Sequence, residues 1–145
     1  MTTIVVSRKQ QMMVSDSLST GGVNSRIQKI FEVDGQLVGF SGHVTHGLKF
    51  VEWLRHGTHP QFVYDKDENT FDALVLNDDG IFFYDRELVP MEILDDVYAI
   101  GSGASFAMGA IDAGAGPVKA VEIAANRDEN SGGPVVVIRR KRRRK

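Results

Sequence analysis

The stretch "TTIVVSRKQQMMVSD" (residues 2–16) decides the fold. Residues 2–7 carry a β-branched run, which favours a pleated strand. "RKQQ" is polar and turns the chain, and "MMVSD" (12–16) reads as the returning strand of a hairpin. A second hairpin follows. In "RIQKIFEV" (26–33), Ile27, Lys29 and Phe31 share one face, and Gln28, Ile30 and Glu32 the other. "DG" at 34–35 is a hairpin turn signal, and "QLVGFSG" (36–42) is its second strand. The intervening "SLSTGGVNS" (17–25) reads as loop. Two early hairpins imply antiparallel sheets rather than alternating βαβ units.

Further along the chain the period changes. "THGLKFVEWLRHG" (45–57) repeats apolar residues at a spacing of three, which predicts a helix with Thr45 as N-cap and Gly57 as its stop. Residues 58–71 are polar and read as loop. "DALVLNDDGIFFYD" (72–85) is a third hairpin, and "VYAIGSG" (97–103) a strand ending in a glycine-rich turn. "ASFAMGAIDAG" (104–114) and "PVKAVEIAAN" (117–126) are helices, the second opening on Pro117. "RDENSGG" is a turn before a last strand, "PVVVIR" (134–139). Two stacked antiparallel sheets with helices on their outer faces account for this order.

At 145 residues the chain is long enough for one domain with its own core. It has no cysteine, which excludes disulfides, a thiolate nucleophile and a cysteine-based zinc site. No apolar run nears the roughly 18 residues of a membrane helix, so no membrane partner is expected. The start turns polar too early for a signal peptide, and a cytoplasmic protein is the expectation. The formal charge of −2 hides an asymmetry. The last seven residues, Arg139, Arg140, Lys141, Arg142, Arg143, Arg144 and Lys145, are all basic. Without them ten basic residues face nineteen acidic ones, a charge of −9 over residues 1–138. The chain thus reads as one domain over 1–138 and a basic, disordered tail over 139–145. That tail suits nucleic acid or an acidic partner, or serves only solubility.

Several motifs fail on inspection. "AIGSGASFAMGA" invites a nucleotide reading, but Phe106 stands where a third glycine is needed, and no parallel βαβ unit follows. His43, His46, His56 and His59 form pairs spaced by three that straddle helix ends, which fits exposed helix-end histidines better than a metal site. No metal and no cofactor are expected. The double aspartates at 78–79 and 95–96 read as solvated turn formers.

The second residue is different. Loss of Met1, which a small second residue permits, would give Thr2 a free α-amine with a pKa near 8. That amine can take the proton of its own hydroxyl. The chemistry then needs a buried lysine, a carboxylate to hold it, and an N–H for the oxyanion. Lys29 lies mid-strand among apolar neighbours and is costly to bury unpaired. Asp16 ends the second strand within its reach, and Gly42 ends the fourth. The bland alternatives are a strand threonine and a lysine facing solvent on an edge strand.

These blocks resemble the proteasome β-subunit family of N-terminal nucleophile hydrolases, in particular its compact bacterial HslV type. "TTIVV" is similar to the mature N-terminus, "VSDS" to the Asp-bearing strand, "KIF" to the lysine strand and "GFSG" to the oxyanion turn. "AIGSGASFA" resembles the turn opening the third helix, and "NRDENSGGPV" the turn before a late strand. The resemblance implies an α+β, four-layer αββα sandwich. It implies Thr2 as nucleophile and base, Asp16 and Lys29 as the charged pair, and Gly42 as oxyanion donor. It adds Ser102, Asp128 and Ser131 as the network around the N-terminus. The implied activity is that of a threonine peptidase acting on peptides or unfolded proteins in a homo-oligomeric ring, with an ATP-dependent unfoldase as an implied partner. The family usually has a second long helix after "GFSG"; residues 58–71 look too short and polar for it. Two rival readings stay open: an amidohydrolase of non-peptide substrates, and a silent assembly protein that binds nucleic acid through its tail.

Overall fold

The computed structural model describes residues 2–20, 22–57 and 71–141. Its elements are β1 (Ile4–Ser7), β2 (Met12–Ser15), β3 (Leu18–Ser19), β4 (Ser25–Arg26), β5 (Ile30–Val33), β6 (Gln36–Gly42) and α1 (Val44–His56). After residue 70 come β7 (Phe71–Asn77), β8 (Gly80–Tyr84), β9 (Met91–Ile93), β10 (Val97–Ile100), α2 (Ala104–Asp112), α3 (Pro117–Arg127) and β11 (Val136–Arg139). The strands form two antiparallel sheets, ordered β10-β1-β2-β11 and β5-β6-β7-β8-β9, and a small β3-β4 ribbon.

Three apolar clusters hold these elements together. Ile4, Val6 and Met13 of the first sheet pack with Ile30, Leu37, Leu74, Leu76 and Ile81 of the second. Val5, Met12 and Val14 point the other way, onto Ala107, Ala120, Val121 and Ala124 of α2 and α3. On the second sheet Val38, Phe40, Ala73 and Val75 pack against Phe50 and Val51 of α1. Both faces of β1 and β7 are therefore covered, which is why "IVV" and "ALVL" are continuously apolar instead of alternating. The small side chains of α2 and α3 let these helices lie close to their sheet.

Several boundaries differ from the sequence reading. The "SLSTGGVNS" segment contains the β3-β4 ribbon, and β9 occupies a stretch with no clear strand pattern. Ribbons of two residues carry no periodicity to read. The N-cap of α1 is His43, not Thr45, and Gly57 ends the helix in the left-handed conformation at φ 73°. β5 starts at Ile30, so Lys29 stands just before the strand rather than within it. His46 is buried on α1, against the expectation of exposed histidines, with its ring 4.4 Å from that of His43.

The basic run does not begin at the edge of the fold. Arg139 ends β11, and the Arg140 side chain donates to Gly35 O at 2.7 Å, Gln11 Oε1 at 3.0 Å and Asp78 Oδ1 at 2.5 Å. Three hairpin turns from both sheets thus meet on one guanidinium, because strands of similar length end together there. The loop over 58–70, the question of a second helix, His59, Met1 and residues 142–145 lie outside the described residues. Among the described residues, no helix is long and apolar enough to cross a membrane.

Candidate active site

Strand register brings the expected residues to one end of the first sheet. Ile4 pairs with Ser15 of β2 and with Ile100 of β10, and Ser15 pairs with Val136 of β11. All three neighbours run antiparallel to their partner. Thr2 and Thr3, before β1, therefore meet Asp16 after β2 and the glycine turn after β10. The turn that precedes β11 arrives beside Asp16. Lys29, just before β5, and Gly42, at the end of β6, come from the second sheet.

Asp16 and Lys29 form an ion pair at 3.0 Å, with 0% and 2% of their side chains exposed. The same Asp16 Oδ1 accepts the Thr3 N–H at 3.0 Å. Its Oδ2 accepts Gly132 N–H at 2.9 Å and Leu18 N–H at 3.4 Å. A buried carboxylate this well supplied with donors is held in place to pair with a buried cation. Burial pushes the Lys29 ammonium below its ordinary pKa, and Asp16, with help from Asp128, opposes that drop. A lysine so placed raises the positive potential at this end of the first sheet.

A second carboxylate closes the other side. Asp128 Oδ2 accepts Ser102 Oγ–H at 2.5 Å and Ser131 Oγ–H at 2.6 Å. Burial alone would push the Asp128 carboxyl up, but the Ser102 and Ser131 hydroxyls and the Asn130 N–H overcome it and hold it below its ordinary range. Ser102 has spent its proton on Asp128, so its oxygen accepts from the Thr2 nitrogen at 3.3 Å. The Thr2 carbonyl in turn accepts Gly103 N–H at 3.2 Å. Gly101 allows this approach: its φ is +99°, and a Cβ there would collide with the Thr2 carbonyl.

Thr2 is buried, and opens on a small cleft lined also by Ser19, Ile27, Lys29, Gly42 and Val44. Gly42 adopts φ +93°, a left-handed conformation that turns the chain out of β6 and into α1 at the rim of this cleft. A larger open depression lies elsewhere, among the turns around Arg140 at the opposite strand ends, and holds none of these residues. Among the described residues, no group of histidines and carboxylates has the spacing of a metal site.

All seven residues singled out from the sequence thus fall at one end of the sandwiched sheets, and all but Gly42 share one hydrogen-bonded network. Reading the sequence missed Thr3, which contacts both carboxylate systems, and the separate roles of Gly101 and Gly103. The doubled threonine was the available signal for the first, and the Gly-Ser-Gly spacing for the second.

No protein-family model matches this sequence, and no curated protein is similar to it. Solved structures do match. Thiobacillus denitrificans BPH in complex with epoxomicin superposes with a TM-score of 0.71 at 23% identity, covering 97% of this chain and 100% of that one. A second structure of Thiobacillus denitrificans BPH gives 0.71 at 22%, covering 96% and 98%. Eukaryotic HslV from Trypanosoma brucei gives 0.64 at 20%, covering 94% and 97%. The chain shares the fold of these proteins over nearly its whole length.

Proposed function

We propose that this chain is a threonine-type peptidase built as a four-layer αββα sandwich, with Thr2 as its nucleophile once Met1 is removed. The observation that carries the reading is the buried Asp16–Lys29 pair at the foot of Thr2, since such a pair is expensive to bury and serves the core poorly. The three apolar clusters support the layering, and the shared fold with HslV and BPH supports the chemistry.

In this mechanism Thr2 Oγ attacks a carbonyl seated in the cleft, and the α-amine of Thr2 accepts the hydroxyl proton. Lys29 holds a positive charge beside the forming alkoxide, and Asp16 fixes Lys29 in place. The Gly42 N–H faces the developing oxyanion. The amine then passes its proton to the departing nitrogen, which leaves an ester on Thr2. Water activated by the same amine hydrolyses that ester. Ser102 and Asp128 hold the nitrogen so that it serves both steps.

The test is intact mass after incubation with a peptide epoxyketone. The purified protein should lack Met1 and gain one inhibitor mass on Thr2. Retention of Met1, or adduct formation that persists in Thr2→Ala, would sink the assignment. A panel of peptides against small acylated amines separates a peptidase from an amidohydrolase on the same scaffold. Assembly into a closed ring completes the proposal, since an open peptidase endangers its own cell; light scattering of the purified chain reads it directly.

A further inference from the structure

Thr3 joins the two carboxylate systems of the site. We propose that it is a positioning residue whose hydroxyl and backbone N–H lock the Asp128 chain to the Asp16–Lys29 pair around the Thr2 nitrogen. Its bearing on catalysis rests on the reading of Thr2 as nucleophile; its hydrogen-bond content does not.

The hydroxyl's direction follows from proton counting. Ser131 Oγ has one proton and gives it to Asp128 Oδ2 at 2.6 Å, because an ionised carboxylate can only accept. The 2.7 Å contact between Thr3 Oγ1 and Ser131 Oγ must then be donated by Thr3. A directed chain results: Thr3 to Ser131 to Asp128 on one side, and Thr2 nitrogen to Ser102 to Asp128 on the other. The backbone N–H of Thr3 donates to Asp16 Oδ1, the oxygen that also holds Lys29. The next residue after Ser131 closes the loop, since Gly132 N–H binds Asp16 Oδ2.

A second observation shows that the site is shaped around this hydroxyl. Gly103 has φ −90°, which any residue adopts, so its backbone does not need glycine. A Cβ at Gly103 would instead coincide with Thr3 Oγ1. Thr3 itself is fully buried just ahead of the apolar Ile4, Val5 and Val6, where valine would fill the same volume without a polar group to satisfy. The chain spends both a hydroxyl and a glycine on this one contact.

The consequence is electrostatic. Donation by Thr3 leaves Ser131 no orientation other than the one that serves Asp128. Without it Ser131 can turn away, and the carboxyl loses part of what holds it in the charged form. Among the described residues the charged group that faces Asp128 is Lys29; Asp16 faces Lys29 from the end of β2, and the flanking Arg127 and Glu129 are exposed.

The test compares wild type, Thr3→Val and Thr3→Ser in two measurements on the full chain. Carboxyl-carbon NMR titration of Asp128 should show the Thr3→Val midpoint raised by about one pH unit and Thr3→Ser unchanged. The acid limb of epoxyketone adduct formation on Thr2 should move to higher pH by the same amount in Thr3→Val only. An Asp128 midpoint that is the same in all three proteins overturns the proposal. If wild type forms no adduct at any pH, the nucleophile assignment fails, and the titration still decides the hydrogen-bond chain. Should Thr3→Val not fold, Thr3→Ala leaves space beside Gly103 and carries the same comparison.

Discussion

The two halves of the buried ion pair should not be equally costly to remove. Asp16 accepts from Lys29 Nζ, from Thr3 N–H and from Gly132 N–H, all within 3.0 Å. Asp16→Ala removes an acceptor from all three donors and takes from the buried Lys29 ammonium the carboxylate it pairs with. Breaking a buried pair this way costs about 3–5 kcal/mol. Each orphaned buried N–H adds about 1–3 kcal/mol when water cannot reach it. These terms overlap, since relaxation around the lost side chain lets water in, so we expect about 4–5 kcal/mol in all. Lys29→Met removes the cation but fills its volume with an apolar chain. Asp16 then keeps its three backbone donors, the longest at 3.4 Å from Leu18, so its oxygens stay hydrogen-bonded. The expected cost is about 1–2 kcal/mol. Urea unfolding at pH 7, followed by the fluorescence of Trp53, reads both values from the midpoint. Both variants should form no adduct with an epoxyketone. Loss of stability in Lys29→Met equal to or larger than in Asp16→Ala would refute the reasoning, because it would mean that the backbone donors do not sustain the carboxylate.

Other consequences are simpler to state. Asp128→Asn should flatten the acid side of the stability curve. The Asp128 carboxyl titrates below its ordinary 3.8 in the folded chain, so its stabilising contribution is full above that value and lost as pH falls through the folded one. Thermal melts between pH 2.5 and 6 should show the wild type losing this increment and Asp128→Asn lacking it. Gly101→Ala puts a Cβ into the Thr2 carbonyl at a left-handed φ, and should cost about 2–4 kcal/mol and abolish labelling at Thr2; melting and intact mass read the two effects. Arg140→Ala should lower stability by about 1–2 kcal/mol, because it frees turns of both sheets, yet leave the labelling rate at Thr2 unchanged, since these turns lie at the opposite strand ends.

Much of this molecule was legible in its residues. The hairpins around residues 8–11, 34–35 and 78–79 follow from turn chemistry and β-branched runs, and α1, α2 and α3 from apolar spacing, Pro117 and Gly57. These are local signals, carried by neighbours in sequence. Thr2, Asp16, Lys29 and Gly42 were found because the chemistry of an N-terminal threonine requires those residue types near strand ends. Ser102, Asp128 and Ser131 came only from the family resemblance, since a Ser and an Asp in polar turns look like ordinary turn formers.

Other features depend on partners distant in sequence. β3, β4 and β9 are too short to carry a period, and exist because another strand offers them hydrogen bonds. His46 is buried because α1 turns that face onto Phe71, which is 25 residues away in sequence and belongs to the second sheet. Arg140 belongs to the fold because three turns meet on it, although its neighbours in sequence are all basic. Thr3 shows the division most plainly. From residues alone it is the first strand residue behind the candidate nucleophile. Its role emerges only when antiparallel register sets Ser131 and Gly103 against its hydroxyl and Asp16 against its N–H. Sequence by itself determined the longer strands and the three helices, and singled out Thr2 as the candidate nucleophile. Tertiary structure decided which polar groups share a proton, because that depends on distances of under 3 Å between residues more than a hundred positions apart.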